Sequence, residues 1–458
     1  MKRFDTQQKK SILSFLLSLI LAIGLTIIIK EPGFTDSQVY VIFLLLFAVG
    51  LWLTEAIPAF SVSLLIISFL VFALGNQYFN SDPENIAKYV NTFSSSVIWL
   101  LLGGFFLASA MTKTKLDETL FKFTLKLSGT NPRNLLFGLM FITMTISMFM
   151  SNTASTAMVF AAVMPLLNSL GKQSGFAKAL LLGIPISAST GGMATIIGTP
   201  PNAIAAGLLQ SVGISIDFLD WMKYGAPIAI VLTLISFAIL VRLLIKDRSP
   251  ISMDFLAKPE TDRPPQFIMK QRIVIVIILV TVGLWLTTSL HGFTVASICA
   301  VPLVFLTLTG VLERRDIQGL PWDVLLLVAG GLSLGVALEE TGLLTHYAQK
   351  LIHIDINTTM MFFIFAFLTM LVSNIMSNTA ASTVMIPLGM AILVGFKLEV
   401  ALIIALSAST AMFLPVSTPP NAIAYSTGLI EQKDFRIGGT LVGLLGPLLA
   451  ILWVLLIN

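Results

Sequence analysis

Apolar stretches of roughly 17 to 25 residues recur from Ser11 to Leu456, the length an α-helix needs to cross a hydrocarbon core. Of the chain, 56% is hydrophobic and 11% charged, and the mean hydropathy is +0.94, a balance that excludes a water-soluble globular domain. A membrane barrel would alternate apolar and polar residues over short segments. Runs such as Val39 to Leu53 and Arg272 to Leu286 are instead apolar on every face. The expected fold is an all-α polytopic membrane protein whose surroundings are a lipid bilayer.

The basic stretch Met1 to Lys10 precedes an apolar run from Ile12 to Ile29 that is too long for a signal peptide and lacks a small-residue cleavage site. It reads as the first span, with the N-terminus cytoplasmic. The single cysteine, Cys299, excludes a disulfide framework and a thiolate metal cluster, and no organic cofactor is indicated. A net charge of +4 invites a nucleic-acid reading. The lysines and arginines concentrate in loops that the positive-inside rule assigns to the cytoplasm, so no nucleic-acid partner is expected.

Spans are predicted near 11 to 30, 37 to 54, 57 to 75 and 92 to 112, followed by a basic connection with Lys113, Lys115, Lys122, Lys126 and Arg133. The 37 residues from Asn134 to Leu170 carry no charge and centre on Ser151-Asn152-Thr153. Basic residues flank them on both sides, which suits a re-entrant hairpin better than two crossings. A fifth span, Ala179 to about Leu209, is interrupted at Gly198-Thr199-Pro200-Pro201-Asn202, where the prolines remove amide donors and are expected to break the helix. The sixth runs from Tyr224 to Leu244. The polar stretch Lys246 to Arg272, with Lys258, Arg263, Pro264 and Pro265, is the expected cytoplasmic linker.

The second half repeats the first. Spans near 272 to 290, 293 to 312 and 324 to 338 lead to an uncharged block, Ile356 to Phe396, centred on Ser377-Asn378-Thr379. A tenth span, Val400 to Ile430, is broken at Ser417-Thr418-Pro419-Pro420-Asn421, and the eleventh ends at Ile457 with the C-terminus outside. About 11 transmembrane helices plus two re-entrant hairpins are therefore expected. Five crossings separate the hairpins, and an odd number makes them open to opposite sides, an inverted-topology repeat.

Broken helices at membrane depth occur where they line a protected cavity or bind a ligand. Helix N-termini attract carboxylates, while C-termini and loop carbonyls coordinate hard cations such as sodium. Residues 134–171, 179–216, 356–396 and 400–430 contain no Lys, Arg, His, Asp or Glu. A divalent anion held there would need bound cations to offset its desolvation, which points to sodium coupling rather than a side-chain proton relay. One Ser-Asn-Thr or one Pro-Pro alone would signify only helix packing or a loop. The duplicated set, in order, signifies a site.

Other residues carry less. Glu55 reads equally as an intramembrane acid or an interfacial residue. Gly331-Leu332-Ser333-Leu334-Gly335 matches a hydrolase nucleophile elbow but lacks a preceding strand, so helix packing is expected and no enzyme activity. His291, His346 and His353 are scattered without metal spacing. An ion channel would need a continuous pore, which a layout of two inverted hairpins does not suggest.

The paired Ser-Asn-Thr triplets, the paired Thr-Pro-Pro-Asn breaks and the Thr54-Glu55-Ala56 to Pro58 segment resemble the divalent anion/sodium symporter family, the INDY-type di- and tricarboxylate carriers. The resemblance extends over essentially the whole chain. It implies a homodimer in a bacterial-type inner membrane, with scaffold and transport domains and an elevator motion. Scaffold helices would be 1–133 and 272–355, the transport repeats 134–245 and 356–458, and the linker 246–271. It further implies that Ser151, Asn152, Thr153, Ser377, Asn378 and Thr379 contact substrate, with Thr199 and Thr418 beside them. One sodium site would use Ser147, Ser151, Asn152 and Gly198, the other Ser373, Met376, Asn378 and Ser417. The expected activity is sodium-coupled transport of C4-dicarboxylates such as succinate, malate or fumarate. A sodium-independent dicarboxylate exchanger is the alternative, with sulfate and citrate behind it as cargoes.

Overall fold

The computed structural model describes residues 6–246, 249–251, 264–352 and 357–458. Lys258, Arg263 and His353 lie outside the described residues, as does most of the expected linker. Secondary structure among the described residues is helical throughout, as expected. By length and composition eight helices can cross a membrane, or nine if a bent pair counts as one span. Seven of the eight are expected spans, and the eighth, Asn152–Leu170, is the second arm of the first hairpin. The rest of the expected eleven are short (Ala59–Leu74 and Val295–Leu308) or broken (Gly175–Met193 with Pro200–Ser211, Lys397–Ala408 with Pro419–Ser426).

The chain divides into two compact units, each drawing on both halves of the sequence. The first comprises Met1–Ile98, Ala203–Ser215 and Pro321–Ala408. Its helix Asp36–Thr54 starts with a capping box between Thr35 and Gln38 and stops at Glu55, which adopts a left-handed φ of 50°. Pro58 then begins the next helix, Ala59–Leu74. Small residues bring helices together here: Gly330 faces Ser63, whose hydroxyl donates to the Leu327 carbonyl at 3.2 Å, and Gly207 faces Leu332. Helices Thr358–Ser373 and Asn378–Ile392 form the second hairpin, and the chain bends by 115° into the segment ending at Ala408. Leu44, Leu51, Trp52, Ile66 and Leu70 form a core that includes Met376, Ala380 and Ala381 of the hairpin.

The second unit comprises Trp99–Asn202, Ile216–Leu320 and Ser409–Asn458. At its centre the helix Gly175–Met193 is buried along almost its whole length, packed by Pro132–Ser147, Asn152–Leu170 and Phe218–Leu244. This burial on all sides explains why the sequence there shows no polar face. Lys172 and Lys178, near the base of the first hairpin, pair with Glu431 at 3.7 Å and Asp434 at 3.5 Å, ahead of the final helix Phe435–Ile457.

Candidate functional site

Both triplets adopt one local structure. Ser151 (φ −62°, ψ 143°) and Ser377 (φ −64°, ψ 146°) are N-caps, and their hydroxyl oxygens accept from the amides of Ala154 and Ala380, each at 3.2 Å. Asn152-Thr153 and Asn378-Thr379 are thus the first two residues of their helices. The first amides of a helix have no intrahelical partner, and the dipole adds partial positive charge, so each tip presents an anion-binding end with no cationic side chain. Ser151, Thr153 and Ser377 are exposed, and Asn152, Asn378 and Thr379 are half-buried. Sequence reasoning assigned the serines to ligands and missed the caps. The signal was there, because Ser followed by a helical run is an N-cap pattern.

In the first repeat the tip, hairpin arm and broken helix converge within the second unit. The Ser147 hydroxyl lies 2.9 Å from Asn152 Oδ1 and 2.7 Å from the Ala188 carbonyl, so one hydroxyl proton faces two acceptor oxygens. The Thr195 hydroxyl donates to the Met148 carbonyl at 2.5 Å, fastening the tip to the break. Glycines make this approach possible: a β-carbon at Gly191 would strike the Met144 carbonyl, one at Gly192 would strike Asn152 Oδ1, and one at Gly198 would lie 2.5 Å from the Gly192 carbonyl. Gly192 therefore lies between Asn152 and Gly198. Ser147, Asn152 and Gly198 are brought together, whereas the Ser151 side chain serves its own helix. Thr199 is buried, and its carbonyl accepts from the Asn202 amide at 3.2 Å.

In the second repeat Ser373 is fully buried, and among the described residues neither its Oγ nor Asn378 Oδ1 has a hydrogen-bond partner. Met376, 4% exposed, belongs to the apolar core. These residues lie in the first unit, and Ser417 and Thr418 in the second. Ser417 Oγ accepts from the Leu414 amide at 3.1 Å, and Thr418 caps the helix Pro419–Ser426 through the Asn421 amide at 3.4 Å.

The prolines do something other than expected. Pro200-Pro201 and Pro419-Pro420 open the second halves of the broken helices, Pro200–Ser211 and Pro419–Ser426. There a missing N–H costs nothing, since those amides have no partner within the helix. The irregular backbone lies just ahead, at 194–199 and 409–418. Asn202 and Asn421 hold it, as does Thr195, and none of these three was expected as a functional residue.

Elsewhere, Glu55 is exposed at a left-handed helix end. Ser333 is buried in the helix Trp322–Glu340, donating to the carbonyls of Tyr89 and Ala329 at 2.7 and 3.0 Å, so its glycine-flanked motif serves helix packing. His346 faces Glu31 at 3.2 Å, and His291 contacts the Leu284 carbonyl at 3.0 Å. No group of three or more His, Cys, Asp and Glu able to hold a metal occurs among the described residues.

Matched hairpin tips and broken helices in a multi-pass membrane chain are features of transporters. The family model for citrate transporters matches residues 45–401. A sodium-dependent dicarboxylate transporter of Staphylococcus saprophyticus is 28% identical over 93% of this chain and 88% of its own length. An uncharacterized transporter of Haemophilus influenzae is 31% identical over 88% of each chain. An inorganic phosphate transporter of Saccharomyces cerevisiae is 33% identical over 84% of this chain, which spans only 42% of that protein. In fold, the chain is similar to the Alcanivorax borkumensis YdaH transporter (TM-score 0.51, 14% identity, 87% and 97% of the two chains). The chain belongs to the citrate-transporter family, within the divalent anion/sodium symporter group of di- and tricarboxylate carriers.

Proposed function

We propose that this protein is a sodium-coupled secondary transporter of C4-dicarboxylates, of the succinate, malate and fumarate class, that moves its cargo chemically unchanged. The observation that carries the reading is the serine-capped helix N-terminus that recurs at each hairpin tip, an end that attracts carboxylates without a cationic side chain. Asn152-Thr153 and Asn378-Thr379 supply amide and hydroxyl groups to the two carboxylates, Ser151 and Ser377 hold the ends of their helices, and Thr199 and Thr418 stand beside them.

Two sodium ions offset the charge of the dianion. Support for the first lies in the oxygens of Ser147, Asn152 and Ala188, which share a single proton. Support for the second lies in the buried oxygens of Ser373 and Asn378, which lack a donor; a small hard cation satisfies such acceptors. Gly198 adds a backbone carbonyl to the first set and Met376 one to the second. Relatives described as sodium-dependent dicarboxylate transporters agree with this cargo and this ion.

Residues 134–245 and 356–458 form a transport domain that slides in an elevator motion against a scaffold of 1–133 and 272–355, joined by the linker 246–271. The working form is a homodimer in a bacterial-type inner membrane, N-terminus cytoplasmic and C-terminus outside.

The test is uptake of labelled succinate into proteoliposomes, either with an inward sodium gradient into empty vesicles or without sodium into succinate-loaded vesicles. Accumulation only under the gradient is expected. Uptake only into loaded vesicles makes the protein an exchanger, and failure in both redirects the search to citrate, sulfate and phosphate.

A further inference from the structure

Each Thr-Pro-Pro-Asn motif ends in an asparagine that has no part in the function proposed above. Asn202 and Asn421 are 0% and 2% exposed. Asn202 Nδ2 donates to the carbonyls of Thr195 at 2.8 Å, Gly192 at 2.9 Å and Met193 at 3.4 Å. Asn421 Nδ2 donates to Leu414 at 3.1 Å and Met412 at 3.2 Å. The offsets match: in both repeats the asparagine reaches carbonyls seven and nine residues before it. Carbonyls only accept, so the nitrogen end of each amide must face them, and its orientation is fixed by chemistry. Asn202 Oδ1 is left buried without a partner in consequence.

The carbonyls at a helix end need donors, and at membrane depth water does not supply them. Prolines at the start of the following helix have none to give. The asparagine that ends each motif closes the break upon itself with one side chain.

We propose that Asn202 and Asn421 are positioning residues for cation coupling. Asn202 holds three carbonyls and Asn421 two at or beside their breaks, so that the remaining loop oxygens, those of Gly198 and Ser417 among them, keep the spacing a small hard cation requires. The inference rests on the sodium-coupled reading, and neither asparagine touches cargo or ion.

The test uses the full-length protein in proteoliposomes, with succinate uptake measured against sodium concentration for wild type, Asn202→Ala, Asn421→Ala and the corresponding Gln variants, which keep the amide on a longer arm. Loss of a group that orients ion ligands typically weakens metal affinity by about 10- to 100-fold. The half-saturating sodium concentration should therefore rise by about tenfold or more in the Ala variants and by less in the Gln variants, while the succinate KM at saturating sodium changes by less than about threefold. A purely structural asparagine would lower the rate or yield at every sodium concentration without moving the half-saturation point, and that result overturns the proposal. Should an Ala variant fail to fold, its Gln counterpart is judged by the same shift. A wild-type curve without sodium dependence would sink the coupling reading and the inference together; a sodium-dependent wild type with unshifted variants would sink the inference alone.

Discussion

The two repeats share their tip geometry and differ in how their oxygens are occupied. Around the first tip Ser147 is engaged with Asn152 and Ala188, whereas the matching Ser373 and Asn378 have buried oxygens without donors. The breaks differ in the same direction. A Ser-Ala-Ser-Thr run is followed by Gly191-Gly192 in the first and by Ala411-Met412 in the second. Glycines therefore let the first break lie close against its tip and hairpin arm, and the second break carries side chains at the matching positions. Duplicated sequence preserved the capped helix end and let its surroundings diverge.

The largest expected effect tests the shared part of that comparison. Asn378→Ala removes an amide whose buried oxygen has no partner among the described residues, and succinate uptake should fall by about 100-fold with the protein still folded, since hydrogen bonds to charged ligands are among the strongest. Asn152→Ala should abolish uptake likewise; wild-type uptake in either variant would sink the assignment of the triplets.

Next comes Gly192→Ala, where the added carbon meets Asn152 Oδ1. Overpacking of this kind costs about 1–3 kcal/mol, so a lower melting temperature and impaired uptake are expected. Wild-type stability and uptake in this variant would remove the glycine contact from the comparison. The serines sharpen it further. Ser147→Ala removes a bonded hydroxyl and should destabilise the sodium-free protein by about 1 kcal/mol, while Ser373→Ala removes an unbonded one and should leave sodium-free stability unchanged but weaken sodium stabilisation.

The smallest effect lies at the base of the first hairpin. The hydrogen bond from Lys433, then the charges of Lys433 and Lys172, hold the Glu431 carboxyl below its usual range. Its contribution to stability is therefore complete above the ordinary glutamate value of about 4.3 and is lost as pH falls through the lowered folded value. Glu431 is solvent-exposed, and screening keeps that contribution small. The melting temperature of Glu431→Gln should lie slightly below that of wild type at pH 7, and the difference should vanish as pH falls below about 4.

Much of this was legible in the chain. Unbroken apolar runs announced the spans, and the pair of uncharged blocks around Ser-Asn-Thr announced the hairpins, because burial in hydrocarbon leaves few other reasons for such a pattern. What stayed hidden depended on backbone direction. Composition does not reveal that Ser151 spends its hydroxyl on Ala154, or that Pro200 begins a helix rather than ending one. Asn202 stood in a quoted motif, yet its partners are carbonyls, which every residue carries and no sequence distinguishes. The Gly191-Gly192 pair likewise gained meaning only once Met144 and Asn152 were seen against it.

That glycine contact also bears on how such a protein could be adapted to a new cargo, by selection or by design. With no space for a β-carbon at 191 or 192, the wall behind the first tip offers no position at which to try alternatives. Freedom lies on the open side of the same helix, where Thr153, Ala154 and Ala157 are exposed. A library built at those three positions would explore cargo shape while leaving the ion-facing wall intact, and variants that change substrate preference should accumulate there.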